Sequence, residues 1–232
     1  MSASSQKANQ ILKVHTFEAL ATTPFQGEIN AMCWERNLLG NFSEIVEKIE
    51  CEGNMKEIDL EELRALNLSK EANLAREVLL TDFENLKKFG AAPILNLIKN
   101  YERDDSFPIF PTDVYSFHVD RSPIPSQTFL CTYYGEPSDI LPNHEGIQKV
   151  LVPEIRKELK KIYAGPDEGF EEFLSEYFFD LHYQALPKAN ITSLGKGNLW
   201  KLAIDHPDNP VLPCLHRAPV EKDGEARLMI IC

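Results

Sequence analysis

Two prolines, Pro108 and Pro111 in the run FPIFP (107–111), cut the chain into parts with different hydrophobic rhythms. Proline removes a backbone donor and fixes φ, so no helix runs through this stretch. From Asn41 to Tyr101 the spacing is helical: FSEIVEKI, then LEELRAL, then KEANLAREVLLTDFENLKKF, with Ser69 as N-cap and Gly90 as stop. PILNLIKNY reads as a further helix with Pro93 in its first turn. Ahead of these, ILKVHTF (11–17) and INAMCW (29–34) are short β-prone runs suited to the first strands.

Beyond the prolines the chain turns strand-rich. TDVYSFHVD (112–120) alternates with period two, so Val114, Ser116, His118 and Asp120 share one face and Tyr115, Phe117 and Val119 the other. Pro123 and Pro125 make a turn, and TFLCTYY (128–134) is a second strand, which predicts a hairpin. A segment at 144–187 interrupts with helical spacing in VPEIRKELKKIY and DEGFEEFLSEYFFDLHYQAL. Its Phe170, Phe173, Leu174, Tyr177, Phe178 and Leu181 form a docking face opposite Glu171, Glu172 and Glu176. Strand runs return in ANITSL, NLWKLAI, VLPCLHRA and ARLMIIC. Strands flanking a helical insert without a βαβ rhythm predict an α+β fold built on a double-stranded β-helix (jelly roll) rather than a doubly wound sheet. The expectation is one domain over 1–232, mainly helical in 1–106 and jelly-roll in 107–232. The helical insert would lie outside the barrel near the site, as a lid or as a buttress.

Charge narrows the function. Lys and Arg number 24 against 36 Asp and Glu, a net charge of −12, so nucleic acid and anionic membranes are repelled by the average surface. Five cysteines without a CxxC spacing encode neither a disulfide framework nor a zinc ribbon. With no apolar membrane span or signal-type start, a cytoplasmic location is expected. No phosphate-binding glycine loop, H-E-x-x-H or G-x-S-x-G is present.

What remains is FHVDR. His118 and Asp120, two apart on a strand, project an imidazole and a carboxylate from one face about 7 Å apart along the chain, a gap that one metal ion bridges. On its own the triplet is a weak signal, and a buried His–Asp pair is its default reading. A later strand carries His216 in LHRAP beside Cys214, and the last strand carries Arg227 on a face with Met229 and Ile231. Arg121 and Arg217 each follow one of these residues and so point the other way, as braces of the wall. Cys214 is a small filler or a soft ligand for zinc. His182 reads as a helix-packing residue, and His144 and His206 as solvent-facing.

HxD, a distal His and a following Arg resemble the ligand set of the iron(II)/2-oxoglutarate-dependent dioxygenases, a superfamily of double-stranded β-helix (cupin-like) proteins. The resemblance implies iron(II) on His118, Asp120 and His216, with Arg227 holding 2-oxoglutarate. Two imidazoles and a carboxylate on one face of an octahedron leave room for a bidentate 2-oxo acid and O₂, and the Arg fork suits the far carboxylate. Over most of the chain, NAMCWERNL, TDVYSFHVDR, FLCTYYGEPSDILPN, ITSLGKGNLW and LHRAPVEKDGEARLMI also resemble a bacterial domain family of unknown function. Its members neighbour zinc-homeostasis genes, which implies a metal and keeps open the alternative of a non-catalytic, zinc-binding protein of metal homeostasis. The substrate, a small molecule or a protein, is not specified by these residues.

Overall fold

The computed structural model describes residues 9–232 except 105, 221 and 223. The N-terminal part alternates strands and helices: β1 (Ile11–Val14), α1 (Phe17–Thr22), β2 (Ala31–Trp34), α2 (Phe42–Lys48), β3 (Met55–Glu57), α3 (Leu60–Ala65), α4 (Lys70–Phe89) and β4 (Ile94–Ile98). The later part adds β5 (Phe117–His118), β6 (Gln127–Tyr134), β7 (Asp139–Leu141), β8 (Gly146–Gln148), α5 (Pro153–Ile162), α6 (Phe170–Glu176), β9 (His182–Ala185), β10 (Thr192–Ser193), β11 (Leu199–Ala203), β12 (Leu215–Arg217) and β13 (Arg227–Ile231). Among the described residues no helix is long and apolar enough to cross a membrane.

The result is a mixed α+β fold with two sheets. A seven-stranded sheet runs β1-β2-β11-β6-β13-β4-β3, and a six-stranded sheet runs β10-β7-β12-β5-β9-β8. Between them lies a core of Ala31, Cys33, Ile98, Leu130, Trp200, Leu202 and Met229 from the larger sheet with Ile140 and Cys214 from the smaller side. Alternation sends Phe129, Cys131, Tyr133, Leu228 and Ile230 to the opposite face of the larger sheet, against α1 to α4.

Local chemistry explains the helices that the sequence marks. The Ser69 side chain accepts from Ala72 N at the start of α4, and Gly90, at φ 98°, closes its end. A buried cluster ties α4 to the sheet. Asp82 accepts from Arg36 Nη1 at 2.7 Å and from the Tyr133 hydroxyl at 2.7 Å, and Arg36 also donates from Nε to the Gly197 carbonyl at 2.9 Å.

Several expectations are corrected. PILNLIKNY is not a helix: residues 94–98 form β4, paired with β13 on one side and β3 on the other. A central strand buried over most of its length carries a continuous apolar run, which periodicity cannot tell from a short helix. The described residues of segment 1–106 therefore contribute four strands as well as four helices, and α1 and β3 lie outside the elements expected from sequence. The 112–120 run enters a ladder only at Phe117 and His118, and it forms no hairpin with β6. β5 pairs with β12 and β9, whereas β6 pairs with β11 and β13, so the proline turn crosses from one sheet to the other.

The 144–187 segment is helical only in part. Phe110, Val150, Leu159, Phe170, Leu174 and Phe179 give it a core of its own, while its β8 and β9 extend the smaller sheet beyond β5. Glu171, Glu172 and Glu176 are exposed. Phe178, however, leaves the docking face at φ 59° and is exposed, because α6 ends at Glu176.

Candidate metal centre

Alternation and pairing converge on one point between the sheets. Phe117 and Val119 enter an apolar cluster with Leu141, Leu181 and Leu215, on the face of the smaller sheet turned away from the larger one. That leaves His118 and Asp120 on the inner face. Leu215 anchors β12 in the same way and turns His216 inward. In the β5–β12 ladder His118 and His216 are direct partners, and their ring centroids lie 4.6 Å apart. Asp120 reaches both: Oδ1 is 3.9 Å from His118 Nε2, and Oδ2 is 3.6 Å from His216 Nε2. Among the described residues His118, Asp120 and His216 form a group whose ligand atoms all lie within 4.8 Å of one another.

The ring orientations suit a cation. His118 Nδ1 is 2.8 Å from the Ser116 carbonyl, and His216 Nδ1 is 3.2 Å from the Cys214 carbonyl. A carbonyl only accepts, so each Nδ1 carries the proton and each Nε2 presents its lone pair toward Asp120. Burial, reinforced by His216 and opposed by Asp120, pushes His118 down to about 4, which keeps it neutral at ordinary pH. Burial alone would raise Asp120. His216, the Thr128 hydroxyl donating to Oδ2, and His118 outweigh it and hold the carboxyl below its usual range. Two neutral imidazoles and a carboxylate form a hard-to-borderline N₂O set that fits a divalent transition metal.

The three residues open onto a cavity of about 370 Å³, lined further by Met55, Ile94, Ile98, Leu130, Met229 and Ile231. Arg227 is 2% exposed on the same face of β13 as Met229 and Ile231, as its sequence position implies. Its Nη2 donates to Thr132 Oγ1 at 3.3 Å and to Ser138 Oγ at 3.1 Å, and Ser138 lines the cavity. Arg227 thus stands behind the wall, one hydroxyl away from the space.

A scan against models of known protein families, a search of curated proteins and a search of solved structures each return no match. The site therefore rests on its own geometry.

Other candidates fall into place. Arg121 bonds Asp205, Asp180 and Ser175, and Arg217 bonds Asp139 while lying 4.4 Å over the Phe117 ring, so both brace the outside of the smaller sheet. Cys214 is fully buried, its thiol pushed up by burial, and it packs in the core rather than joining the ligand group. His144 is exposed, but the His206 side chain is only 10% exposed, with Nδ1 accepting from Asp208 N. His182 is not on a helix; it lies on β9 opposite His118.

The sequence does not single out Thr128, leaves Thr132 in one of two alternative barrel-lining pairs (Thr132 with Tyr134, or Cys131 with Tyr133), and does not single out Ser138. The alternation of TFLCTYY offered the signal for the first two. With Phe129, Cys131 and Tyr133 toward the helices, Thr128, Leu130 and Thr132 face inward. Nothing local marked Ser138.

Proposed function

We propose that this chain is a non-haem iron(II)/2-oxoglutarate-dependent oxygenase on a double-stranded β-helix. The observation that carries the reading is the convergence of His118, Asp120 and His216, with both imidazoles turned by backbone carbonyls so that Nε2 faces the carboxylate. Strand order supports the scaffold. In the larger sheet β11-β6-β13-β4 are neighbours, in the smaller β10-β7-β12-β5, and successive strands from β4 to β7 change sheets at each step. That to-and-fro winding is how a jelly roll is built.

Each residue has a role in this reading. His118, Asp120 and His216 would hold iron(II), which supplies an open coordination face for the 2-oxo acid and O₂. Thr128 holds the Asp120 carboxylate ionised and oriented. Arg227 would act on the distal carboxylate of 2-oxoglutarate through Ser138, whose hydroxyl accepts from Nη2 and lines the cavity. The lining is mostly apolar, with Glu57, Asn96, Tyr101 and Ser138 as further polar members, and would limit water at the oxidising site.

The same three residues would also hold zinc in a non-catalytic protein of metal homeostasis, and the position of Cys214 in the core removes the soft fourth ligand that zinc would favour. One experiment separates the readings. Protein purified and reconstituted without oxygen is titrated with iron(II), zinc(II) and then 2-oxoglutarate. A visible charge-transfer band on adding 2-oxoglutarate to the iron form, with succinate released in air, supports the oxygenase. Tight zinc binding without either signal supports the alternative.

A further inference from the structure

β5 is two residues long, yet it carries His118 in its ladder and is followed directly by the segment that bears Asp120. So short a ladder constrains a strand weakly. The additional restraint comes from the 144–187 segment. Lys149 Nζ donates to Ser116 Oγ at 2.9 Å, and Ser116 Oγ lies 3.0 Å from His182 Nδ1. The carbonyl of the same Ser116 accepts from His118 Nδ1 at 2.8 Å.

An ammonium only donates, so Ser116 Oγ accepts from Lys149; the same oxygen bonds His182 Nδ1 at 3.0 Å and lies 3.5 Å from the Phe117 carbonyl oxygen. His182 is 4% exposed, with its ring centroid 5.8 Å from that of His118 and 6.2 Å from that of Phe110. The bond to Ser116 ties the imidazole to the protein, and His182 lies outside the group of possible metal ligands. Lys149 Nζ is fixed in turn 4.4 Å over the Phe110 ring.

Resting on the metal reading above, we propose that Lys149, Ser116 and His182 form a brace through which the 144–187 segment positions His118. The three are positioning residues, and Ser116 is the junction. Its hydroxyl is clamped by the segment, and its carbonyl sets which nitrogen of His118 carries the proton. Release of the hydroxyl frees the carbonyl to move, and His118 then loses the fixed Nδ1–H form that directs Nε2 at the metal.

The test uses the full chain with Lys149→Met and Ser116→Ala, singly and together, and Lys149→Arg as the conservative replacement. Cobalt(II) serves as probe, its affinity read by chelator competition and its ligand-field spectrum recorded. The metal-free proteins are examined by ¹⁵N NMR of the imidazoles, and thermal unfolding is followed in parallel. The brace predicts a cobalt affinity about 10-fold or more weaker in each single variant, on the scale seen for partners of metal-binding histidines. It also predicts a changed spectrum, a double variant little worse than either single one, and recovery with Lys149→Arg. Unchanged cobalt affinity and spectrum, whatever the fall in melting temperature, overturn it. If the parent protein takes up no cobalt, the metal reading fails, and the NMR arm still decides the brace. A His118 tautomer fixed in the parent and mixed in the variants supports it; one form in all the proteins overturns it.

Discussion

Acidifying the metal-free protein from pH 6.5 to 5 probes the buried imidazoles directly. Burial, with His216 adding to it, brings His118 down to about 4. Burial, then His118 and Lys149, brings His182 down to about 3. Unfolded histidine titrates near 6.5. A folded-state pKa below the unfolded one means that the unfolded chain binds more protons, so stability is fully present above about pH 6.5 and is lost as pH falls toward the folded values. Each group then costs about 1.6 kcal/mol between pH 6.5 and 5, or about 3 kcal/mol for the pair. The strongly depressed carboxylates do not blur this window. Glu44 and Asp104, held at about 2 by hydrogen bonds led by the Ser69 and Thr112 side chains respectively, add their own loss only below about pH 4.5. Urea unfolding in chelator at half-unit pH steps measures the slope, which should approach two protons per molecule near pH 5. His182→Asn should remove about half of it, whatever it does to the absolute stability. A flat profile between pH 6.5 and 5, or a slope indifferent to His182→Asn, would refute the placement of these rings.

Other expectations follow from single sites. At a hundredfold excess over its dissociation constant, a bound metal stabilises by about 2.7 kcal/mol, which is about 5–10 °C in melting temperature for a chain of this size; His216→Ala should abolish that rise, and full metal occupancy in the variant would remove His216 from the ligand set. Arg227→Lys should weaken 2-oxoglutarate binding, read by titration of the iron form, more than metal binding, because the charge survives and the planar fork does not. Arg36→Met strips Asp82 of its ion pair in a buried site and should cost about 3–5 kcal/mol in urea unfolding. Gly135 sits at φ 83°, with space for a Cβ only 2.5 Å from the Ala226 carbonyl oxygen, so Gly135→Ala should lower stability by about 2 kcal/mol or more and disturb the neighbouring Arg227, as thermal unfolding with and without 2-oxoglutarate will show.

The features legible in the sequence are those set by terms acting within a few residues. Ser69 and Gly90 bound α4 because a cap needs only the adjacent turn. His118 and Asp120 share a face because Phe117 and Val119 between and beside them are apolar and must be buried on the other side. What the tertiary structure decided is which strands meet. PILNLIKNY became β4 because β13 and β3 were there to pair with it, and the proline turn after Asp120 crosses between sheets because β12 and β9 claim β5 while β11 and β13 claim β6. The same non-local pairing set His182 beside His118, brought Lys149 to Ser116 and Thr128 to Asp120, and placed Ser138 before Arg227. Partner choice of that kind depends on the loop-closure entropy of long segments and on the apolar area buried when two sheets close on each other. Neither quantity is a property of any short stretch, so the resemblance could name His118, Asp120 and His216 as candidate ligands while the residues that orient them could not be named.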